Sequence, residues 1–141
     1  MVALLAVAAA SSSCSSGNSS SPTAPTPTPT RIISLSGNAT GFYIDELAFG
    51  AVQVGTSATA TLTISNSGNS TLTWSIPSIQ TGIFAGSPTS GTVAAGGSTP
   101  VTMTFTPTLV VGYSATLTVT SDATTSASDT LNQIQLTGRG T

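Results

Sequence analysis

Residues 58–76 read ATATLTISNSGNSTLTWSI, and the alternation inside them decides the fold. Ala58, Ala60, Leu62 and Ile64 share one phase, while Thr59, Thr61, Thr63 and Ser65 hold the other. Beyond Asn66-Ser67-Gly68-Asn69 the pattern resumes, with Leu72, Trp74 and Ile76 set against Thr71, Thr73 and Ser75. Successive side chains of a β-strand leave opposite faces, so a two-residue period predicts strands with one apolar and one hydroxylic face. The Asn-Ser-Gly-Asn interruption has the chemistry of a turn.

The same period recurs on either side. Val101, Met103 and Phe105 alternate with Thr102, Thr104 and Thr106. Tyr113, Ala115, Leu117 and Val119 alternate with Ser114, Thr116, Thr118 and Thr120, and Ile134 and Leu136 with Gln133, Gln135 and Thr137. Upstream, Phe42 to Phe49 and Val52 with Val54 predict one or two strands around a break at Gly50, and Ile32 to Leu35 predict an edge strand. Turn chemistry falls at Pro77, at GSPTSG (86–91), at AAGG (94–97) and at Pro107. No window of helical length shows a 3.6-residue apolar period. The expected fold is all-β, an Ig-like antiparallel sandwich of about seven strands over residues 31–141. Apolar phases fill the space between two sheets, and threonine phases form the outer faces, where a β-branched polar residue suits an exposed strand.

Composition removes most chemistry. Of 141 residues only 4% are charged, with no histidine, two arginines and no lysine. A net charge of −2 gives nucleic acid no electrostatic footprint, so no nucleic-acid partner is expected. Cys14 is the single cysteine, and without histidine it makes neither a Cys-His nucleophile nor a zinc site. No cofactor is expected and the chain reads as a monomer.

The N-terminus, MVALLAVAAASSSC, is an apolar run too short to span a bilayer, followed by small residues, as in a secretory signal peptide. It is similar to a bacterial lipoprotein signal, with residues 1–13 removed and Cys14 lipidated. Ser11 stands where that pattern usually has leucine. In the alternative, cleavage follows Ala10 and the protein is secreted. Residues 14–30, with SSGNSSSPTAPTPTPT after the cysteine, hold almost nothing apolar and predict a disordered tether. Its Pro-Thr part favours polyproline II and forms a spacer of roughly 30 Å.

Four acids are available. Asp45 and Glu46 are adjacent and leave opposite faces of a strand, so they cannot act as a pair. Asp122 and Asp129 flank the loop SDATTSASD and are candidate ligands for a hard cation, although Asp122 also fits a turn cap and Asp129 a solvated loop. Tyr43 and Phe84 lie in less regular segments and are candidates for a sugar-binding platform, whereas Trp74, Phe105 and Tyr113 sit in the core phase. Exposed edges at Ile32 to Leu35 or in the final strand offer strand addition to a partner, since no lysine guards them.

The segments LAFGAVQVGTSATATLTISNSGNSTLTWSI, FAGSPTSGTVAAGGSTPVTMTFTPTLVVGYSATLTVTSDA and IQLTGRGT also resemble the bacterial choice-of-anchor D and ASH/Hydin-like domains, relatives of the PapD and major sperm protein sandwiches. The likeness spans Leu47 to Thr141 and rests on Phe49-Gly50, Val54-Gly55, Asn66-Ser67-Gly68, Phe105-Thr106-Pro107, Gly112-Tyr113, Ser121-Asp122 and Leu136-Thr137-Gly138-Arg139-Gly140. Arg139 replaces a threonine usual in that closing step. The resemblance implies a non-catalytic structural or binding module carried on exported proteins. The expected function is therefore structural, adhesive or protein-binding, at the cell envelope and held to the membrane through lipid on Cys14. The alternative is a carbohydrate-binding accessory domain of a secreted protein with a cell-wall glycan as partner.

Overall fold

The alternating segments become strands that pair in the register their faces require. A computed structural model of the chain describes residues 24–37, 46–77, 79, 82–126 and 132–141. Strands β1 (Ile32–Ser36), β3 (Ala58–Asn66), β5 (Phe84–Ser87), β7 (Ser98–Phe105) and β10 (Thr125–Ser126) form one sheet, in the order β10-β1-β3-β7-β5. The second layer consists of β2 (Glu46–Val52), β11 (Gln133–Gly140) and β8 (Gly112–Thr118), side by side in that order. It continues through β6 (Ser90–Val93), β4 (Leu72–Ser75) and β9 (Thr120–Ser121), where β9 follows β8 after Val119 alone.

The long β3–β7 ladder is the frame. It runs from Ala58 opposite Phe105 to Ser65 opposite Ser98, and sets Leu62 beside Val101 on the inner face and Thr61 beside Thr102 on the outer. Ile33, Leu62, Ile64, Val101, Met103 and Phe105 meet Leu47, Leu72, Trp74, Leu117, Ile134 and Leu136 from the facing layer, all at 2% exposure or less. Each such side chain removed from water contributes about 2 kcal/mol before chain entropy is counted. This core is the apolar phase of the sequence, as alternation predicts.

Three features differ from the sequence reading. Two pairings are parallel: β2 lies along β11, with Leu47 opposite Leu136, and β1 along β10. Alternation tells which face a residue takes and carries no information on the direction of the neighbouring strand. Gly50 does not break the strand around it; β2 passes through, and the register against β11 shifts between Thr137 and Arg139. Two residues, Phe49 and Gly50, there oppose Gly138 alone, a bulge that Gly50 permits by adopting φ +70°. Finally, GSPTSG is not one turn. Its ends belong to β5 and β6, through which the chain crosses from the first sheet to the second.

Phe49 shares the inner face with Leu47, and the bulge's extra residue returns Val52 to that face; the Phe49 ring centroid lies 5.5 Å from Phe105 and 5.7 Å from Phe84. Phe84 stacks on Phe105 at 5.0 Å, and Tyr113 meets Phe105 edge-on at 5.5 Å. Space for this cluster comes from Gly138, where a Cβ would stand 2.6 Å from the Phe105 ring. Gly138→Ala is expected to lower stability by roughly 1–3 kcal/mol, read from the denaturant midpoint. Gly112→Ala, where a Cβ meets nothing within 4 Å, should stay within about 0.5 kcal/mol.

Candidate functional site

The two ends of the β3–β7 ladder are built by different chemistry. At the end where the N-terminal segment enters, Asn66 is 1% exposed and its side chain is fully used. Oδ1 accepts from the N–H of Gly68 at 3.0 Å and of Ile32 at 3.3 Å. Nδ2 donates to the carbonyls of Ser70 at 2.8 Å, Val93 at 3.1 Å and Ala94 at 3.3 Å. One amide thus joins its own turn, the start of β1 and the β6–β7 turn.

Asn69, three residues on, grips the incoming chain. Its Oδ1 accepts from Thr30 N–H at 2.6 Å, and its Nδ2 donates to the Thr28 carbonyl at 3.1 Å. Gly68 lets the strands approach this closely, since a Cβ there would collide with the Thr30 carbonyl. The last residues before Arg31 are thereby bonded to the sandwich at Thr28 and Thr30.

Beside this grip stands Asp122. Its Oδ1 accepts from Thr73 N–H at 2.8 Å, and its own N–H donates to the Thr73 carbonyl at 3.1 Å. Arg31 Nε donates to the Asp122 carbonyl at 2.9 Å and lies 3.6 Å from Oδ2. The ion pair is half exposed and adds at most about 1 kcal/mol; the backbone bonds are what align β4 with β9. Asp129, the suggested co-ligand, Tyr43, Asp45 and Cys14 lie outside the described residues. Among the described residues no three His, Cys, Asp or Glu side chains gather as a metal site. Glu46, 9% exposed, accepts from the Thr137 hydroxyl at 2.5 Å.

Phe84 corrects the expectation of a sugar platform at that position: it is 4% exposed, its ring stacked in the aromatic cluster. Its irregular flanks hide a four-residue strand, which is why periodicity missed it. The final strand, expected as an open edge, is interior, with β2 on one side and β8 on the other. The outer edge of β1 is partly covered by β10 at Ile32 and Ile33.

At the opposite end, the β7–β8 loop is clamped by Tyr113, whose hydroxyl accepts from Leu109 N–H at 2.9 Å and Thr108 N–H at 3.3 Å. This is the tyrosine-corner arrangement of Ig-like sandwiches. The Thr108 hydroxyl, then the backbone N–H groups, hold the phenol pKa below its usual range, against the opposing effect of burial.

Hollows open on the surface among the described residues. An apolar groove of about 240 Å³ lies between β4 and β5, lined by Ile76, Pro77, Ile79, Phe84 and Gly86. A shallow hydroxyl-lined hollow of about 410 Å³ covers the outer face of β6-β4-β9, with Thr73, Ser75, Ser90, Thr120, Ser121 and Asp122 around it. In the second, Ser75 Oγ and Thr120 Oγ1 bond to each other at 2.7 Å.

Residues 41–137 match the family model described as the HYDIN/CFA65/VesB-like Ig-like domain. Among curated proteins no sequence matches significantly. Of solved structures, the ASH/PapD-like domain 7 of human CEP192 superposes with TM-score 0.64 at 17% identity, over 92% of this chain and 98% of that one. A protein of unknown function from Porphyromonas gingivalis superposes with TM-score 0.59 at 18% identity, over 82% of this chain. The match spans half, 50%, of that longer chain. At such identities these likenesses show a shared fold.

Asn66→Ala removes a buried amide and strands its partners, and is expected to lower stability by about 2–4 kcal/mol in urea unfolding. Asn69→Ala should lower it by less than about 1 kcal/mol while speeding hydrogen exchange at the Thr30 amide. Equal losses from the two substitutions would contradict the distinction between hub and clamp.

Proposed function

The chain belongs to the HYDIN/CFA65/VesB-like family of Ig-like domains, and from that membership we propose a non-catalytic cell-envelope module that recognises or holds a protein partner. The observation that carries the reading is where the chemistry-bearing side chains go. Asp122 and Arg31 tie β4, β9 and the incoming chain together, and Glu46 is bonded to Thr137. Trp74, Phe84 and Phe105 are in the core, at 4% exposure or less. Among the described residues these groups, which could otherwise serve an acid–base pair or a sugar platform, are spent on the framework, and the outer faces carry hydroxyls and amides.

Placement in the envelope rests on the sequence of the N-terminal segment. Residues 1–13 act as an export signal, Cys14 carries lipid, and the chain from there to Thr30 is the spacer. The grip of Asn69 on Thr28 and Thr30 supports this reading: it fixes the point at which tension on a tether is passed to the sandwich. No partner for a histidine-free, nearly uncharged surface is expected to depend on long-range electrostatic steering. Association should therefore vary little with salt.

The test is the intact mass of the mature protein from the membrane fraction of a bacterial host. A species beginning at Cys14 with added acyl chains is expected. A soluble species beginning near Ser11, with a free thiol, overturns the anchor and leaves a secreted binding module.

A further inference from the structure

From the second layer we infer that β8 is an acceptor edge, which takes an extended, uncharged segment of the partner protein as an added strand antiparallel to itself. The inference deepens the partner-holding reading and rests on it. Its ground is an interrupted ladder. Gly140 N–H donates to the Val111 carbonyl at 2.9 Å and Val119 N–H to the Asn132 carbonyl at 2.8 Å, and the register between them is unbroken. Antiparallel bonding therefore turns the peptide groups of Tyr113, Ala115 and Leu117 toward β11, and those of Gly112, Ser114, Thr116 and Thr118 away from it. Further along the same line, Thr120 and Ser121 lie opposite Ser75 and Trp74, and Asp122 N–H donates to the Thr73 carbonyl at 3.1 Å, so β4 occupies this side. But β4 stops short. Pro77, which continued register would set opposite Thr118, has no N–H to give, and Ile76 N–H is used on the Thr89 carbonyl at 2.7 Å. Among the described residues nothing takes the place of β4 beside Gly112 to Thr118, and β8 ends its sheet there.

The other edges are shorter, covered or bent. Strands β5 and β6 have four residues each, β1 is partly covered by β10, and β2 carries the bulge. By contrast β8 runs for seven residues without a charge, a proline or a bulge, the devices that keep an edge from pairing.

What selects a strand as the occupant is the spacing of the unpaired groups. N–H and C=O pairs that recur at every second residue, about 6.8 Å apart, are matched in full only by another extended backbone. Side chains specify the rest. Residues directly opposite one another in an antiparallel pair share a face, so those facing Ala115 and Leu117 turn inward and those facing Ser114 and Thr116 turn outward. Tyr113 and Ala115 pack on the core yet are only half-buried, which leaves apolar surface for inward aliphatic side chains to cover. The outward row joins exposed hydroxyls. An antiparallel segment runs from Thr118 toward Gly112, where its last residues meet Val111, Val110 and Leu109, which are 44%, 65% and 63% exposed. The partner's segment therefore alternates aliphatic with small hydroxylic residues and holds neither charge nor proline.

The experiment uses the full chain, isotope-labelled, with a capped synthetic peptide Ser-Val-Thr-Val-Ser-Val-Thr, and reads amide hydrogen exchange. The peptide is expected to slow exchange at Ser114, Thr116 and Thr118 about tenfold or more, and to leave Tyr113, Ala115 and Leu117 as they were. N-methylation of the peptide at alternate residues should abolish the effect in one phase and spare it in the other, because only one set of its amides faces β8. Thr116→Pro removes an N–H that β11 does not use, and should weaken binding about tenfold with unchanged near-ultraviolet circular dichroism; Thr116→Val, which keeps that N–H, should bind as the native chain does. Binding without slowing in β8, slowing of both phases of β8 alike, equal sensitivity to the two methylation patterns, or absence of binding overturns the inference. A concentration-dependent dimer of the free chain that protects the same amides overturns it in favour of a second copy. The mature mass, which tests the anchor, plays no part in this readout, so either reading can fail alone.

Discussion

A buried amide closes the end of this sandwich where its chain enters, and much of the architecture depends on it. Asn66 terminates β3, yet its side chain also holds the first residue of β1 and the carbonyls of the β6–β7 turn. Two sheets that diverge at a turn leave peptide groups too far apart to pair with one another. An apolar residue would fill the space and strand those groups, at about 1–3 kcal/mol each. An asparagine carries a donor and an acceptor on one short stem and serves both sheets at once. With that end closed, β1 is held in register on β3, and the grip of Asn69 on Thr28 and Thr30 becomes an extension of the same turn.

The other end is closed by shape. Phe49, Phe84, Phe105 and Tyr113 come from four strands in both layers, and their rings need more room than the inner face of a regular sheet supplies. The bulge at Phe49-Gly50 and the bare position at Gly138 provide it together, since they face each other across the β2–β11 pair. Phe49 shares the inner face with Leu47 by plain alternation, the bulge's extra residue brings Val52 back to that face, and without the glycine Phe105 could not lie against β11. Polar closure at one end and aromatic closure at the other keep a domain with 4% charged residues from needing buried ion pairs.

Most of the core was legible because alternation is a local property. Leu62, Ile64, Leu72, Trp74, Val101, Met103 and Leu136 occupy the face their phase requires. What was not legible is what alternation does not encode. Parallel pairing of β2 with β11 joins segments from opposite ends of the domain, and only the closed fold brings them together. It also makes β11 interior, where a terminal strand reads as an edge. Strands β5 and β6 hid inside GSPTSG because glycine, serine and proline carry no phase. In the candidate site, Asp122 was legible as a capping carboxylate, but its partner Arg31 is 91 residues away. Asn66 read as a turn residue; its reach to Val93 and Ala94 leaves no trace in the local sequence. Phe84 read as available because its strand is too short to show a period.

The threonine rows that first define this chain are poor handles for recognition. Thr59, Thr61 and Thr102 are exposed on the outer face of the long ladder, but a hydroxyl already bonded to water gains little by exchanging that bond for one to a partner. Nor do these rows attract a partner from a distance, since they carry no charge. Their contribution is to keep an all-β surface wet without lysine or glutamate. Net binding free energy has to come from apolar surface that the fold leaves uncovered or indented. In the described structure that surface is the groove between β4 and β5 and the three aliphatic residues braced on Tyr113. Both lie away from the Asn66 hub that fixes the domain to its incoming chain. A sandwich built this way divides its labour along its length: hydrogen bonds anchor it at one end, and apolar surface is presented beyond them.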